Sequence, residues 1–361
     1  MSMQLTGPGK IICLSGSPRD QGRAHGLECR QEISENLAII RRGMSRLASR
    51  GKQYDFDTLI AANERFVEHT APEVLDEIQG IAESSGIAYR DLLLINLPLY
   101  FVAAFLPREC SQVLLMPPAT RDGKTYLAKT RDIGGGKLRN VVLHRRYPDG
   151  RELVEVNVAG SITWLGSGMN SDGVVLSTSG VWSKRTTVDL ERIGRGWLLV
   201  NGHLLLRDSH SLDDLVARAN AQPRVTGINM VAADTHSGAA LEWTADCIYR
   251  QDAEEGIVVR TNHYLTSEIQ HLGPTPDENP SSHHRREVAL ARIKSKYGSF
   301  DLDTLATLLA DHDGYPNLSL CRHSEGGVGS DTIYASIAVL PDGKFWSVMD
   351  NPCTALRASS S

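Results

Sequence analysis

The sequence predicts an α+β fold built on antiparallel sheets, on three observations. Up to Glu109, apolar residues recur mostly three or four apart, the period of amphipathic helices. From Cys110 onward the chain turns into short β-prone runs. Many of those runs are separated by turns such as Arg121-Asp122-Gly123, Pro148-Asp149-Gly150, Ser171-Asp172-Gly173 and Pro341-Asp342-Gly343, which read as hairpin connections. Consecutive hairpins beside grouped helices exclude a doubly wound parallel sheet.

In chain order, residues 10–14 form a short strand, and 15–21 a turn entering a helix. Gly22 and Gly26 then lie on one helix face, where a second element can approach closely. Apolar spacing continues the helical reading through Leu47 and over 58–67. Pro72 suits a first helical turn, Ser84-Ser85-Gly86 ends that helix, and Asp91 caps another reaching Asn96. Beyond Cys110, β-prone runs cover 113–116, 125–129, 141–147, 153–158, 174–177, 230–234, 240–244, 257–261, 333–340 and 344–348. Helices are expected near 195–207, 211–220, 282–297 and 302–311, with Asp208, Ser211 and Asp301 as caps or turn residues.

The 361 residues contain 41% hydrophobic and 22% charged side chains, ordinary for a globular protein. A net charge of −5 gives no reason to expect nucleic acid or an anionic membrane as partner. Neither a signal peptide nor a spanning helix is read. The six cysteines are scattered, without a C-x-x-C or a paired Cys/His spacing. Free thiols in a reducing cytoplasm, no metal and no cofactor are therefore the expectation.

The stretch that invites chemistry is Pro107-Arg108-Glu109-Cys110-Ser111-Gln112-Val113. A thiol at the first position of a strand, just after a polar turn, is expected to be presented rather than packed. Cutting the bond before Cys110 would put a thiol and an α-amine on one residue. That amine, with an ordinary pKa of about 8, can serve as general base. Other motifs fail. Gly134-Gly135-Gly136-Lys137 lacks the spacing and the Ser/Thr of a phosphate loop, and no G-x-S-x-G elbow exists. His283, His284 and His312 lack partners at metal-ligand spacing and suit surface or hydrogen-bonding roles.

Three further stretches complete the candidate set. Lys129-Thr130-Arg131-Asp132 ends a run that an antiparallel pairing would lay beside Cys110, where a carboxylate could hold the new amine. Asn262, at the end of an apolar strand, is a fit donor for a developing oxyanion or a strand-end residue bonded to local backbone. Ser282 can cap the helix that carries Arg285, and an arginine so near a helix start calls for a partner elsewhere.

Taken in order, the motifs resemble a known family. They are Ser15-Gly16-Ser17 with Gly22-Arg23-Ala24-His25-Gly26, Glu77-Ile78-x-Gly80-Ile81-Ala82, Glu109-Cys110-Ser111 and Arg131-Asp132. They continue with Gly168-Met169-Asn170-Ser171-x-Gly173, Thr261-Asn262-His263, Ser282-x-x-Arg285 and Asp311-His312-x-Gly314-Tyr315-Pro316-Asn317. Ser319-Leu320-Cys321 and Asp331-Thr332 ahead of Ser336 close the series. The chain resembles the autoproteolytic acyltransferases and hydrolases related to isopenicillin-N acyltransferase and carcinine hydrolase, within the N-terminal-nucleophile (Ntn) hydrolases.

The resemblance implies a four-layer αββα sandwich. It also implies self-cleavage between Glu109 and Cys110 into a mostly helical segment, 1–109, and a catalytic segment, 110–361. The two would stay together as a heterodimer within one domain, with further oligomerisation left open. Cys110 aligns with the nucleophile, Asp132 with the acidic residue near its amine, Asn262 with the oxyanion or amine-contacting asparagine, and Arg285 with the charge-network arginine. Lys129, Arg131, Ser177, Ser179 and His263 are the substrate-binding candidates. Two departures stand out. Lys129 replaces an Arg or Gln, and the strand after Gly173 reads Val174-Val175-Leu176-Ser177-Thr178-Ser179 without the usual Asn. The expected activity is hydrolysis of a small linear amide, an N-acyl or β-alanyl amine, through a thioester. The alternatives are acyl transfer to an amine, or an inactive Ntn-like binding protein.

Overall fold

The computed structural model describes residues 1, 3–49, 55–96, 108–134, 136–163, 165–181, 190–197, 201–325 and 329–358. Its strands are β1 (Gln4–Thr6), β2 (Ile11–Ser15), β3 (Arg108–Leu115), β4 (Thr125–Gly134), β5 (Asn140–Arg146), β6 (Glu152–Val158), β7 (Leu165–Asn170) and β8 (Val175–Gly180). They continue as β9 (Ile228–Ala233), β10 (Gly238–Trp243), β11 (Ile248–Asp252), β12 (Ile257–Arg260), β13 (Ser330–Leu340) and β14 (Lys344–Val348). Helices before Cys110 are α1 (Pro18–Glu28), α2 (Arg30–Ser49), α3 (Phe56–Thr70), α4 (Pro72–Ser85) and α5 (Tyr89–Asn96). Those after it are α6 (Gly202–Asp208), α7 (Leu212–Ala221), α8 (Pro280–Ser295), α9 (Leu302–Leu309) and α10 (Pro352–Ala358).

The strands form two sheets, ordered β1-β14-β13-β4-β3-β12 and β11-β10-β9-β8-β7-β6-β5-β2. All pairings are antiparallel except β1–β14 and β2–β5. The pleat sorts their side chains by layer. Val113, Leu115, Tyr126, Ala128, Ala335 and Ile337 pack outward onto Val288 and Ile293 of α8 and Leu305 and Leu309 of α9. Leu153, Val174, Leu176, Met230 and Leu241 pack outward onto Leu205 and Leu206 of α6 and Leu212 and Leu215 of α7. Leu114, Leu127, Val175, Val231 and Ala338 fill the space between the sheets. The molecule is therefore a four-layer αββα sandwich of mixed α+β class.

The first 109 residues are not a separate unit. β1 is an edge strand of one sheet and β2 of the other, so this segment is stitched into both. A buried polar cluster ties its helices to the larger sheet. Arg145 of β5 meets Glu155 of β6 at 2.6 Å, Glu77 of α4 at 2.8 Å and Gln21 of α1 at 2.7 Å. His203 of α6 closes it on Glu155 at 3.0 Å. Such a cluster costs more to break than it contributes net, because each partner would be left buried and unpaired.

Helix ends follow local chemistry with two corrections. Ser17 and Asp20 form a reciprocal cap at the start of α1, and Ser211 and Asp301 cap α7 and α9. Asp91 falls inside α5, which begins at Tyr89, and α8 is capped by Asn279 rather than Ser282 because Pro280 takes the first helical position. The expected helix from Arg195 is observed only from Gly202; residues 198–200, like Gly135 of the glycine run and the stretch 97–107 with Pro107, lie outside the described residues. No helix among the described residues is long and apolar enough to cross a membrane.

The close approach foreseen at Gly22 is the contact of α1 with α4. A Cβ there would stand 2.0 Å from the Glu77 carbonyl oxygen, and one at Gly80 2.2 Å from that of Arg19. Gly22→Ala should therefore force the two helices apart and destabilise the fold by about 1–3 kcal/mol, read as a lowered midpoint in urea unfolding. An unchanged midpoint would mean that the helices can slide apart without cost.

Candidate active site

Antiparallel pairing lays β3 on β4 with Glu109 opposite Asp132, Cys110 opposite Arg131 and Gln112 opposite Lys129. Here the expectation of a thiol presented at a strand start is corrected. In the uncut chain β3 begins at Arg108, because Arg108 and Glu109 also find partners on β4, and Cys110 is only 6% exposed. Alternation along β3 then splits the site. Glu109 and Ser111 face α8, while Cys110 and Gln112 face the other sheet.

The α8 side is organised by Arg285, whose side chain is fully buried. Its guanidinium donates to the Cys110 carbonyl oxygen at 2.6 Å and to Ser111 Oγ at 2.7 Å. It also donates to Glu109 Oε2 at 2.6 Å, Asn262 Oδ1 at 2.9 Å and Ser281 Oγ at 3.1 Å. These are the partners that the helix position of this arginine called for. Arg322 ion-pairs the other Glu109 oxygen at 2.8 Å. Burial works against ionising Glu109, but Arg285 and Arg322 outweigh it and hold its carboxyl below the ordinary value of 4.5.

Asp132 is fully buried beside the same pair, with one oxygen 3.9 Å from Arg285 and the other accepting from Thr332 Oγ1 at 2.7 Å. Burial dominates over the two arginines there and raises its pKa. Oδ2 of Asp132 receives no hydrogen bond among the described residues. Asn262 stands where the chain crosses between the two sides. Its Oδ1 accepts the Cys110 backbone N–H at 2.8 Å, and its Nδ2 donates to the Gly180 carbonyl at 2.8 Å. Ser282, released from capping, accepts from the Asn262 N–H at 2.8 Å.

On the inter-sheet side the thiol shares its surroundings with Lys129, which Cys110 influences electrostatically. Its ammonium is buried and donates to the Thr178 carbonyl oxygen of β8. Desolvation lowers its pKa to about 8, against the pull of Cys110. Gln112 bridges the sheets, accepting from Ser177 Oγ at 2.7 Å and donating to Ser179 Oγ at 2.7 Å. Arg131 lies over the Tyr334 ring, 5.2 Å from its centroid.

The fold thus gathers Cys110, Asp132, Asn262, Arg285, Glu109, Lys129 and Arg131 around one peptide bond. Ser177 and Ser179 lie close by, but their hydroxyls are engaged by Gln112 and, for Ser179, by the Thr261 carbonyl oxygen. His263 has no described bond to Cys110. Its ring stacks on His283 at 3.8 Å and its Nδ1 meets Ser282 Oγ at 2.8 Å, and burial, then His283, lower its pKa to about 3. Sequence reasoning missed Gln112, Arg322 and Thr332. Of these Gln112 was signalled by its place two residues beyond Cys110 on the same face, and Thr332 by its motif with Asp331, while Arg322 carried no signal. His312, Cys321, His323 and Cys353, which short-range spacing did not group, come together in space. Short-range spacing missed them because Cys353 arrives from α10, thirty residues on.

The family model "Acyl-coenzyme A:6-aminopenicillanic acid acyl-transferase" matches residues 119–354, about two thirds of the chain. Among solved structures, a variant of conjugated bile acid hydrolase from Clostridium perfringens is 14% identical with a TM-score of 0.44, covering 66% of this chain and 89% of that one. Penicillin V acylase from Agrobacterium tumefaciens is 14% identical with a TM-score of 0.42, covering 63% of this chain and 79% of that one. No curated protein matches the chain.

The Glu109 cluster has a pH signature. A carboxyl whose folded pKa is lowered stabilises the fold above its unfolded value, near 4.5, and that contribution is lost as pH falls through the folded pKa. In a Cys110→Ala background, Glu109→Gln should cost roughly 2–3 kcal/mol at pH 7, since two buried arginines lose their anion. The gap should shrink steadily below about pH 4.5. Denaturant unfolding at several pH values would test it, and a gap independent of pH would contradict the ionised cluster.

Proposed function

The chain belongs to the acyl-coenzyme A:6-aminopenicillanic acid acyl-transferase family, and we propose that within it this is a self-cleaving amide-bond enzyme with Cys110 as nucleophile. One observation carries the reading: the groups that such chemistry needs converge on the single bond between Glu109 and Cys110. Arg285 grips the chain on both sides of it, Asn262 holds the Cys110 nitrogen, and Lys129 stands at the thiol.

In maturation the Cys110 sulfur adds to the Glu109 carbonyl carbon. The C–N bond breaks, the nitrogen takes a proton, and a thioester joins Glu109 to the Cys110 side chain. Water then adds to that carbonyl and the C–S bond breaks, leaving a carboxylate on Glu109 and a free α-amine on Cys110. Asn262 Oδ1, already accepting the backbone N–H, would hold that amine. With Glu109 released, Asp132 is the carboxylate left beside Arg285. Lys129 supplies the positive charge that favours a thiolate, which is the attacking form. A lysine at this position delivers a compact point charge where a guanidinium would spread its charge over a fork.

In turnover the same sulfur would attack an amide carbonyl, release the amine and form a thioester that water resolves. A small linear amide, an N-acyl or β-alanyl amine, is the proposed substrate class, and the two fragments are the proposed working unit. Acyl transfer to an amine acceptor is the second reading, favoured by the family's description. It differs only in which molecule resolves the thioester.

Intact mass and N-terminal sequencing of the expressed chain test the first step without knowledge of a substrate. Cleavage should give 109 residues and the remaining 252 of 361, the larger piece beginning Cys-Ser-Gln-Val. Cys110→Ala should stay whole. A wild-type chain that stays uncut, or a cut Cys110→Ala chain, would refute the assignment. Lys129→Met should slow alkylation of Cys110 by iodoacetamide at pH 7 roughly tenfold, because the thiolate loses a neighbouring cation. Equal alkylation rates would remove Lys129 from the mechanism.

A further inference from the structure

Away from Cys110, four metal-binding side chains converge. The donor atoms of His312, Cys321, His323 and Cys353 all lie within 4.8 Å of one another. The two histidine Nε2 atoms are 3.1 Å apart, and His323 Nε2 is 3.5 Å from Cys321 Sγ and 3.7 Å from Cys353 Sγ. A tetrahedral ion with Zn–N bonds of about 2.0–2.1 Å and Zn–S bonds of about 2.3 Å keeps its donors roughly 3.3–3.8 Å apart. The three separations from His323 Nε2 fall close to that range. We propose that these residues form a Cys2His2 site for a tetrahedral, thiophilic divalent cation, zinc by its donor set.

The placement suits a structural ion. Both cysteines are buried, and His312 lies toward solvent, which leaves a path of entry. Asn351 Nδ2 approaches Cys321 Sγ at 3.8 Å while donating to the Arg322 carbonyl at 2.5 Å, the kind of outer support that orients a thiolate ligand. Tyr315 packs its ring against both histidines, with centroids 5.9 Å from His312 and 5.5 Å from His323. Four protein donors leave no open position for water or substrate, so the ion would hold the fold rather than react. What it would hold is specific. The loop after α9 supplies three ligands and α10 the fourth, and Arg322 sits between Cys321 and His323 with its guanidinium on Glu109. The ion would thereby fix one of the two cations that grip the residue before the proposed cleavage point. That consequence rests on the reading of Cys110; the site itself does not.

The test is metal analysis of the full chain, expressed with zinc supplied and purified without chelator. One zinc per chain is expected, lost in Cys321→Ser and in Cys353→Ser. Cobalt(II) in place of zinc should give the intense visible bands of a tetrahedral site together with thiolate-to-cobalt charge transfer. A metal-free wild-type chain, a zinc content unchanged in both serine variants, or a mass lighter by two hydrogens from a Cys321–Cys353 disulfide would overturn the proposal. If the serine variants fail to fold, the wild-type cobalt spectrum decides alone, and absence of thiolate charge transfer counts against the site. A zinc-loaded chain that never cleaves would leave this site standing while removing the role given to Cys110.

Discussion

The buried guanidinium of Arg285 is the constraint around which this end of the molecule is arranged. Removing such a cation from water costs several kcal/mol, so the structure has to surround it with acceptors. It does so from three directions: Glu109, the Cys110 carbonyl and Ser111 on β3, Asn262 just beyond β12, and Ser281 on its own helix. A shift of α8 along the sheet by one residue would break several of these bonds together. The arginine therefore sets the register of helix on sheet, and with it the position of the Glu109–Cys110 bond.

The pleat of β3 does the second part of the work. Adjacent residues point to opposite faces, so the carboxylate of Glu109 and the thiol of Cys110 sit in different environments although one peptide bond joins them. One face holds arginines, Asp132 and the helix α8. The other holds Lys129, Gln112 and the hydroxyls of β8, sealed between two sheets. The backbone of Cys110 touches the first environment and its sulfur the second. A network that grips the chain can thus coexist with a thiol held in separate surroundings.

The strand and helix content was largely legible because periods of 2 and 3.6 are local properties of a chain. The close approach at Gly22 was legible for the same reason, as a repeat on one helix face. Asp132 beside Cys110 was legible from antiparallel pairing, but the arrival of Asn262 and Arg285 was legible only through likeness to a family, since up to 175 residues separate those that touch. Gln112 could have been read from alternation alone. Ser282 and Asn279 exchanged roles because both are good capping residues and only Pro280 decides between them. Arg322 had no local sign: its meaning comes from the loop that carries it, and that loop is set by contacts with β13 and α10.

Charge at the site also gives a reason why the proposed cleavage and catalysis would share one set of residues. Before cleavage, Arg285 and Arg322 face Glu109 and Asp132, two cations against two carboxylates in a buried space. The proposed cut would free Glu109 together with a new carboxylate, and would add an α-amine at Cys110. If Glu109 withdraws, the same space holds two arginines and the amine, with Lys129 beyond, against Asp132 alone. That surplus of positive charge favours both a thiolate and an oxyanion, and it is greatest where water is excluded. The residue that balances the precursor would thus be the one whose departure prepares the site for anionic intermediates.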